Sequence, residues 1–182
     1  MEELEHLYSP SQWSKRFPAD VIIDKHVEFV TEESERVRSS VANSRGIRYG
    51  PGDDQKYDLF GGDSLPPGAP MLVYIHGGYW QALSREISAY CVSPMFKAGI
   101  RVAVLGYTIA PKGLQLVRGI VLVSGVFHLA PLVNTYTLKE RVSQVELLEM
   151  PGLDHFSIVE ELSNPENRLV RRIIALIKSS IA

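Results

Sequence analysis

Three things are scarce in this 182-residue sequence: cysteine, surplus positive charge and long apolar runs. Cys91 is the only cysteine, which excludes an internal disulfide framework and fits a reducing compartment. A formal net charge of −2 gives no basis for binding nucleic acid or an anionic membrane. No apolar run approaches the ~20 residues of a membrane span, and the acidic N-terminus lacks the apolar core of a secretory signal. We therefore expect a cytoplasmic protein, with the nucleus as an alternative, and no nucleic-acid or membrane partner.

Metal-ligand spacing and internal repeats are missing as well. None of the five histidines belongs to a pattern such as H-x-x-x-H, so the sequence predicts no metal site. A chain of this length can bury a sizeable core, and nothing in its composition divides it. The sequence therefore predicts one domain, spanning residues 1–182.

What is present is a polar first part followed by alternating strands and helices. Residues 1–45 are predicted to be a helical segment, with one helix that begins at Thr31 and stops at Gly46. Further along, strands are predicted at 55–60, 71–76, 100–107 and 118–125, with a weaker strand at 143–150. Strand 71–76 is nearly all apolar, which is typical of a strand buried on both faces of a parallel sheet.

Two helices complete the pattern. One is predicted over residues 84–99, ending at Gly99, with an interruption at Pro94 as an alternative. The other begins at Asn164 as its N-cap, and its apolar stripe faces the core while its arginines face solvent. The stripe consists of Leu169, Val170, Ile173, Ile174 and Ile177. The alternation predicts an α/β fold with a mostly parallel sheet flanked by helices, whose ligands gather at the carboxyl ends of the strands.

A glycine turn follows the apolar strand at such a carboxyl end. It consists of His76, Gly77, Gly78, Tyr79 and Trp80, the "HGGYW" of the sequence. Glycines let the backbone approach a ligand closely, so its N–H groups can stabilise a developing oxyanion. The alternative is a tight turn with His76 merely packed against its neighbours, and the tripeptide alone does not separate the two.

This glycine turn and "GYTIAPKG" (Gly106–Gly113) together resemble the branch of the α/β-hydrolase superfamily that includes the kynurenine formamidases. The resemblance implies an α/β-hydrolase domain without metal or organic cofactor, with 46–182 as its core. It implies hydrolysis of a small molecule, N-formyl-L-kynurenine, to L-kynurenine and formate in tryptophan breakdown. The resemblance leaves open whether the protein forms a homodimer.

The resemblance also implies roles for individual residues. Gly77 and Gly78, with Tyr79 beside them, match the oxyanion loop, and His76 and Trp80 border it. His155 in "GLDHF" matches the histidine of a catalytic triad, which takes the proton of the nucleophile and returns it to the leaving amine.

The serine of that triad is missing, because the chain contains no G-x-S-x-G. Only eleven residues join the strands predicted at 101–107 and 119–125, whereas a parallel crossover needs about a dozen or more. This connection is therefore too short to contain the segment that carries the serine, and we interpret the chain as internally shortened. The triad aspartate is not recognisable either, since Asp154 is the sequence neighbour of His155 and neighbours rarely point at each other.

No other residue is expected to replace the serine. Ser124 matches an ordinary strand position, and Cys91 stands in an apolar helical context typical of a core. Ser64 in "GDSL" spells the nucleophile block of another hydrolase family, but the D-x-x-H partner is absent because Gly152 precedes His155 by three. Three hypotheses remain: a formamidase-like hydrolase, a non-catalytic binding variant of that family, and a general carboxylesterase.

Overall fold

The computed structural model describes residues 6–7, 9–109, 148 and 150–179. The helices are α1 (Ile22–Ser40), α2 (Val92–Lys97), α3 (Ser157–Glu160) and α4 (Arg168–Ser179). The strands are β1 (Asn43–Arg48), β2 (Lys56–Phe60), β3 (Met71–Ile75) and β4 (Arg101–Leu105). Short 3-10 turns lie at Pro10–Trp13, Arg85–Ile87 and Glu161–Ser163. None of the described helices is long and apolar enough to cross a membrane.

The four described strands form one mixed sheet in the order β1-β2-β4-β3. Strands β3 and β4 are parallel, with Met71 opposite Arg101 and Ile75 opposite Leu105. Strand β2 is antiparallel to both β1 and β4. The α/β class is confirmed, but a mostly parallel arrangement is wrong for these strands. The reason is local: the short connection 49–55 can join β1 and β2 only as an antiparallel hairpin.

Helix α1 differs most from its prediction. It begins at Ile22 rather than Thr31, and it ends at Ser40, because apolar residues upstream of Thr31 are buried against the core. Ile22 and Val30 are completely or almost completely buried and lie eight residues apart on one helical stripe. Gly46, the predicted helix stop, lies instead in a bulge of β1 with φ +67°.

Segment 84–99 is not one helix. A 3-10 turn at Arg85–Ile87 precedes α2, and Pro94 lies in the first turn of α2, where its missing N–H costs nothing. The predicted end at Gly99 is confirmed. Gly99 has φ +81°, and the N–H groups of Gly99 and Ile100 donate to the carbonyls of Phe96 and Met95.

The C-terminal helix has the predicted stripe but a later start. Asn167, not Asn164, accepts a hydrogen bond from the first turn: its Oδ1 lies 2.8 Å from the N of Leu169. Val170 is fully buried, and the rest of the predicted stripe packs against the same core. Arg168, Arg171, Arg172 and Lys178 are exposed, as expected.

The sheet buries one face more completely than the other. Phe60, Val102 and Val104 belong to the core that the helices cover, and each is fully buried. On the opposite face of β3, Val73 is 52% exposed and Ile75 is 43% exposed. Burial of this strand on both faces is therefore wrong, because alternate residues point to opposite sides and the described helices cover only one of them.

Several predictions fall outside the described residues. The strand at 118–125, Ser124 and His128 belong to this group, as does the strand at 143–150 apart from Leu148 and Met150, which have no regular structure. The single-domain boundaries also stay a prediction.

Valine truncation on the two faces should have unequal effects. Val104→Ala removes two buried carbons and leaves a cavity, so we expect it to lower the free energy of unfolding by about 2 kcal/mol. Val73→Ala, at a half-exposed position, should cost less than about 0.5 kcal/mol. Urea denaturation of both variants measures the difference, and equal losses would contradict the one-sided core.

Candidate oxyanion-binding turn

The glycine turn begins directly after β3, at the carboxyl end of the parallel pair β3–β4. The chain leaving β4 passes the same edge through Gly106 and Tyr107. Ligand sites in α/β sheets gather at this edge. The predicted location of the turn is thereby confirmed for the part of the sheet that is described.

The peptide between His76 and Gly77 is held by Tyr107. The hydroxyl of Tyr107 donates to the carbonyl of His76 at 2.9 Å, with a longer contact of 3.4 Å to the carbonyl of Gly77. The Tyr107 ring also stacks on the His76 imidazole, with the centroids 4.3 Å apart and the planes 13° from parallel. One side chain thus restrains both the backbone and the side chain of His76.

The next peptide is held by His76 itself. Its Nδ1 lies 2.9 Å from the carbonyl oxygen of Gly77, and because that oxygen can only accept, Nδ1 carries the proton. Burial lowers the pKa of His76, and this outweighs the opposing effect of the bond to Gly77. A neutral imidazole is therefore favoured, with Nε2 left as an acceptor.

The third peptide is held by the chain that follows it. The carbonyl of Gly78 accepts from the N–H groups of Gln81 at 3.0 Å and Ala82 at 2.9 Å. Gly78 has φ +108°, and a Cβ at this position would lie 2.1 Å from the carbonyl oxygen of Ala82. Only glycine fits here, for both conformational and steric reasons.

These three contacts determine where the N–H groups point. In a planar trans peptide the C=O and the N–H point in opposite directions. With the carbonyls of His76, Gly77 and Gly78 engaged, the N–H groups of Gly77, Gly78 and Tyr79 point away from them. Those three N–H groups donate to no acceptor in the described part of the chain. The turn therefore offers adjacent unpaired donors, as an oxyanion site requires.

The turn is strained beyond its glycines. Tyr79 has φ 50° and Trp80 has φ 59°, values that side-chain-bearing residues rarely adopt. Tyr79 is 61% exposed and Trp80 is 37% exposed, so packing of their rings does not account for the conformation. Strain of this kind persists where surrounding contacts enforce it, and it concentrates at functional sites.

A buried charge cluster holds the far end of the loop that follows. Asp58 of β2 accepts from Arg38 of α1 at 2.8 Å and from Arg85 at 3.2 Å. Arg38 also donates to the carbonyls of Arg85 and Glu86 at 2.8 and 3.1 Å. The local sequence pattern did not predict these anchors. The available signal was Asp58, a charged residue in the middle of an apolar strand.

His155 lies in different surroundings. Its ring is half-buried and meets the ring of Phe156 edge-on, with the centroids 5.3 Å apart. Burial lowers the pKa of His155, nearby His26 lowers it further, and Asp154 opposes both. No hydrogen bond, ion pair or ring contact joins His155 to the glycine turn among the described residues. Its triad role stays a prediction.

Asp154 does not orient the neighbouring histidine. Its carboxylate accepts from the backbone N–H groups of Phe156 and Ser157 at 3.1 and 2.7 Å, and from Lys15 at 3.2 Å. Burial acts to raise the pKa of Asp154, but the hydrogen bonds from Ser157 and Lys15 and the charge of Arg16 lower it to about 2. The side chain caps the turn that leads into α3, as expected of a residue with a structural role.

A second acid, Glu160 of α3, contacts a different histidine. Glu160 accepts from Nδ1 of His26 at 2.8 Å and from two nitrogens of Arg16 at 2.6 and 3.1 Å. This cluster ties the N-terminal segment and α1 to α3. Sequence spacing could not indicate it, since Glu160 is more than 130 residues from both Arg16 and His26.

The other nucleophile candidates are unsuited to the role. Cys91 is fully buried, and burial raises the pKa of its thiol to about 12, so it is inert at neutral pH. Ser64 lies on an exposed turn with no hydrogen bond to a histidine among the described residues. The same part of the chain holds no group of three or more His, Cys, Asp or Glu placed to bind a metal.

The chain is similar in sequence to kynurenine formamidases of three species. The chain is 41% identical over 112 residues to kynurenine formamidases of Salmo salar and Danio rerio, a match that covers 62% of this chain and 38% of each relative. It is 32% identical over 120 residues to the kynurenine formamidase of Drosophila melanogaster, covering 61% and 39%. The chain thus matches about four tenths of the length of these relatives. No protein-family model matches the sequence.

A solved structure is similar to this one in fold. It is a candidate thioesterase from Silicibacter sp. TM1040, 26% identical, with a TM-score of 0.50. The match covers 60% of this chain and 40% of that one.

Substitution at the two glycines should separate their roles. Gly78→Ala places a Cβ against Ala82 at a positive φ, so we expect a loss of about 2 kcal/mol or more in stability. Gly77→Ala is the matched control, because a Cβ there meets nothing within 4 Å. Denaturant unfolding of both variants gives the comparison, and a stable Gly78→Ala protein would contradict the described backbone.

The lowered pKa of His76 predicts how the stability of the protein depends on pH. Its neutral form is favoured by folding, so its contribution to stability is complete above the ordinary value of about 6.5 and is lost as pH falls through the lowered folded pKa. We expect the His76 ring protons to titrate below pH 6.5 in NMR spectra. Comparison with the spectra of His76→Gln identifies the His76 signals. Titration at or above the ordinary value would contradict the buried, stacked geometry.

Proposed function

We propose that this chain, a relative of the kynurenine formamidases, binds the formyl carbonyl of N-formyl-L-kynurenine in its glycine turn. In the complete reaction of that lineage, water converts N-formyl-L-kynurenine to L-kynurenine and formate. The observation that carries the proposal is that the N–H groups of Gly77, Gly78 and Tyr79 donate to no acceptor among the described residues. Formamide hydrolysis passes through a tetrahedral oxyanion, and donors of this kind stabilise it.

The proposal extends to the fold and the surroundings of the turn. We propose an α/β-hydrolase fold, supported by the parallel β3–β4 pair with the turn at its carboxyl end. The exposed rings of Tyr79 and Trp80 offer apolar surface for the aryl part of the ligand. His155 is proposed as the proton acceptor, and a cytoplasmic location belongs to the same proposal, as does assembly into a homodimer.

Turnover by this chain is expected to be residual at most. The sequence has no G-x-S-x-G, and the buried thiol of Cys91 cannot substitute. Loss of the nucleophile from an acyl-transfer enzyme costs several orders of magnitude in rate and leaves only oxyanion and binding effects. This observation favours a second function, in which the chain binds the ligand without hydrolysing it.

The test combines binding with chemistry. Isothermal titration of the purified chain with N-formyl-L-kynurenine should show saturable binding, which Gly78→Ala weakens at least about tenfold because the turn is displaced. Val73→Ala, on the far exposed sheet face, is the control and should bind as the wild type does. Formate release should be near background, and a fluorophosphonate probe should label no serine.

Each alternative has its own outcome. Absence of binding by the folded wild type would refute the proposed site. Formate release together with probe labelling would identify an active serine hydrolase and refute the non-catalytic function. Hydrolysis of a simple aryl ester without binding of N-formyl-L-kynurenine would favour a general carboxylesterase.

A further inference from the structure

We propose that Tyr107 is a positioning residue that sets the direction of the ligand-binding N–H groups of the glycine turn. The inference rests on the proposed function and adds a residue to that site. Tyr107 follows β4, thirty residues after Gly77, and its hydroxyl contacts the turn at the carbonyls of His76 and Gly77.

The hydroxyl of Tyr107 contacts two peptides of the turn. It lies 2.9 Å from the carbonyl of His76 and 3.4 Å from that of Gly77, so it reaches two consecutive peptide units. Their N–H groups belong to Gly77 and Gly78. Because each peptide is planar and trans, holding a carbonyl on one side directs the N–H to the other side.

The aromatic ring of Tyr107 acts on the turn as well. Stacked at 4.3 Å on His76, it restricts the imidazole to the orientation in which Nδ1 donates to the carbonyl of Gly77. Tyr107 therefore acts on the Gly77 carbonyl directly and also through His76. Burial raises the pKa of Tyr107, which keeps the hydroxyl protonated as the donor that these contacts require.

The peptide between His76 and Gly77 depends on Tyr107 more than the peptide after Gly78 does. Among the described residues, the carbonyl of His76 accepts a side-chain hydrogen bond from Tyr107 alone. The Gly78 carbonyl, in contrast, is held by backbone donors from Gln81 and Ala82. Loss of the Tyr107 hydroxyl should therefore release the Gly77 end of the donor set and leave the Tyr79 end in place.

The experiment uses the full chain and three variants. Tyr107→Phe keeps the stacked ring and removes the hydroxyl, whereas Tyr107→Leu removes both. Tyr49→Phe is the matched control, since its hydroxyl donates to the carbonyl of Gly106 at 2.7 Å, outside the glycine turn. Each protein is measured for affinity toward N-formyl-L-kynurenine, for thermal stability, and by NMR of the His76 ring and the Gly77–Tyr79 amides.

Tyr107→Phe should weaken binding about three- to tenfold, as expected for one hydrogen bond, and shift the Gly77 and Gly78 amides more than the Tyr79 amide. Tyr107→Leu should weaken binding further and remove the ring-current shift of His76. Tyr49→Phe should leave the affinity unchanged.

Two results would overturn the inference. One is a Tyr107→Phe protein whose amide signals in the turn match those of the wild type. The other is a variant that loses thermal stability while its folded form keeps full affinity, which would make Tyr107 merely structural. If the wild type binds no N-formyl-L-kynurenine, the proposed function fails, and the amide and His76 signals of the free protein still decide whether Tyr107 orients the turn.

Discussion

The glycine turn depends on one constraint, the planarity of three consecutive peptides whose carbonyls are held. Tyr107, His76 and the N–H groups of the following chain each supply a bond to one side of a peptide. The opposite sides present N–H groups that nothing in the described chain satisfies. Gly77 and Tyr79 are exposed and Gly78 is half-buried, so these donors are open to solvent and accessible to an anionic oxygen.

Both ends of the loop are fastened to the sheet, and this supports the strained backbone between them. Tyr107 fastens the start, at the end of β4. Arg38 and Asp58 fasten the far end, with the side chain of Arg38 only 7% exposed and that of Asp58 2% exposed. Removing one partner of such a buried pair costs about 3–5 kcal/mol, because the other charge is left without compensation. Arg38 thus connects α1 both to the sheet and to the chain that follows the glycine turn.

The candidate catalytic groups fall into two separate surroundings. The proposed oxyanion donors lie at the end of β3, whereas His155 lies beside α3 with His26, Asp154 and Phe156. The acids there are already committed, Asp154 to the backbone before α3 and Glu160 to His26 and Arg16. The proposed binding function thus depends on the glycine turn alone, whereas catalysis would also need an acid that neither Asp154 nor Glu160 supplies.

The sequence by itself determined the features that depend on neighbouring residues. Strands 56–60 and 101–105, the glycine turn after β3, the helix end at Gly99 and the apolar stripe of α4 all follow from short-range patterns. Tertiary structure alone decided the start of α1, the exposed face of β3 and the Arg38–Asp58 pair. It also decided the stacking of Tyr107 on His76. The physical reason is that burial, ion pairing and stacking depend on which distant segments meet, and local sequence pattern carries no information about that meeting.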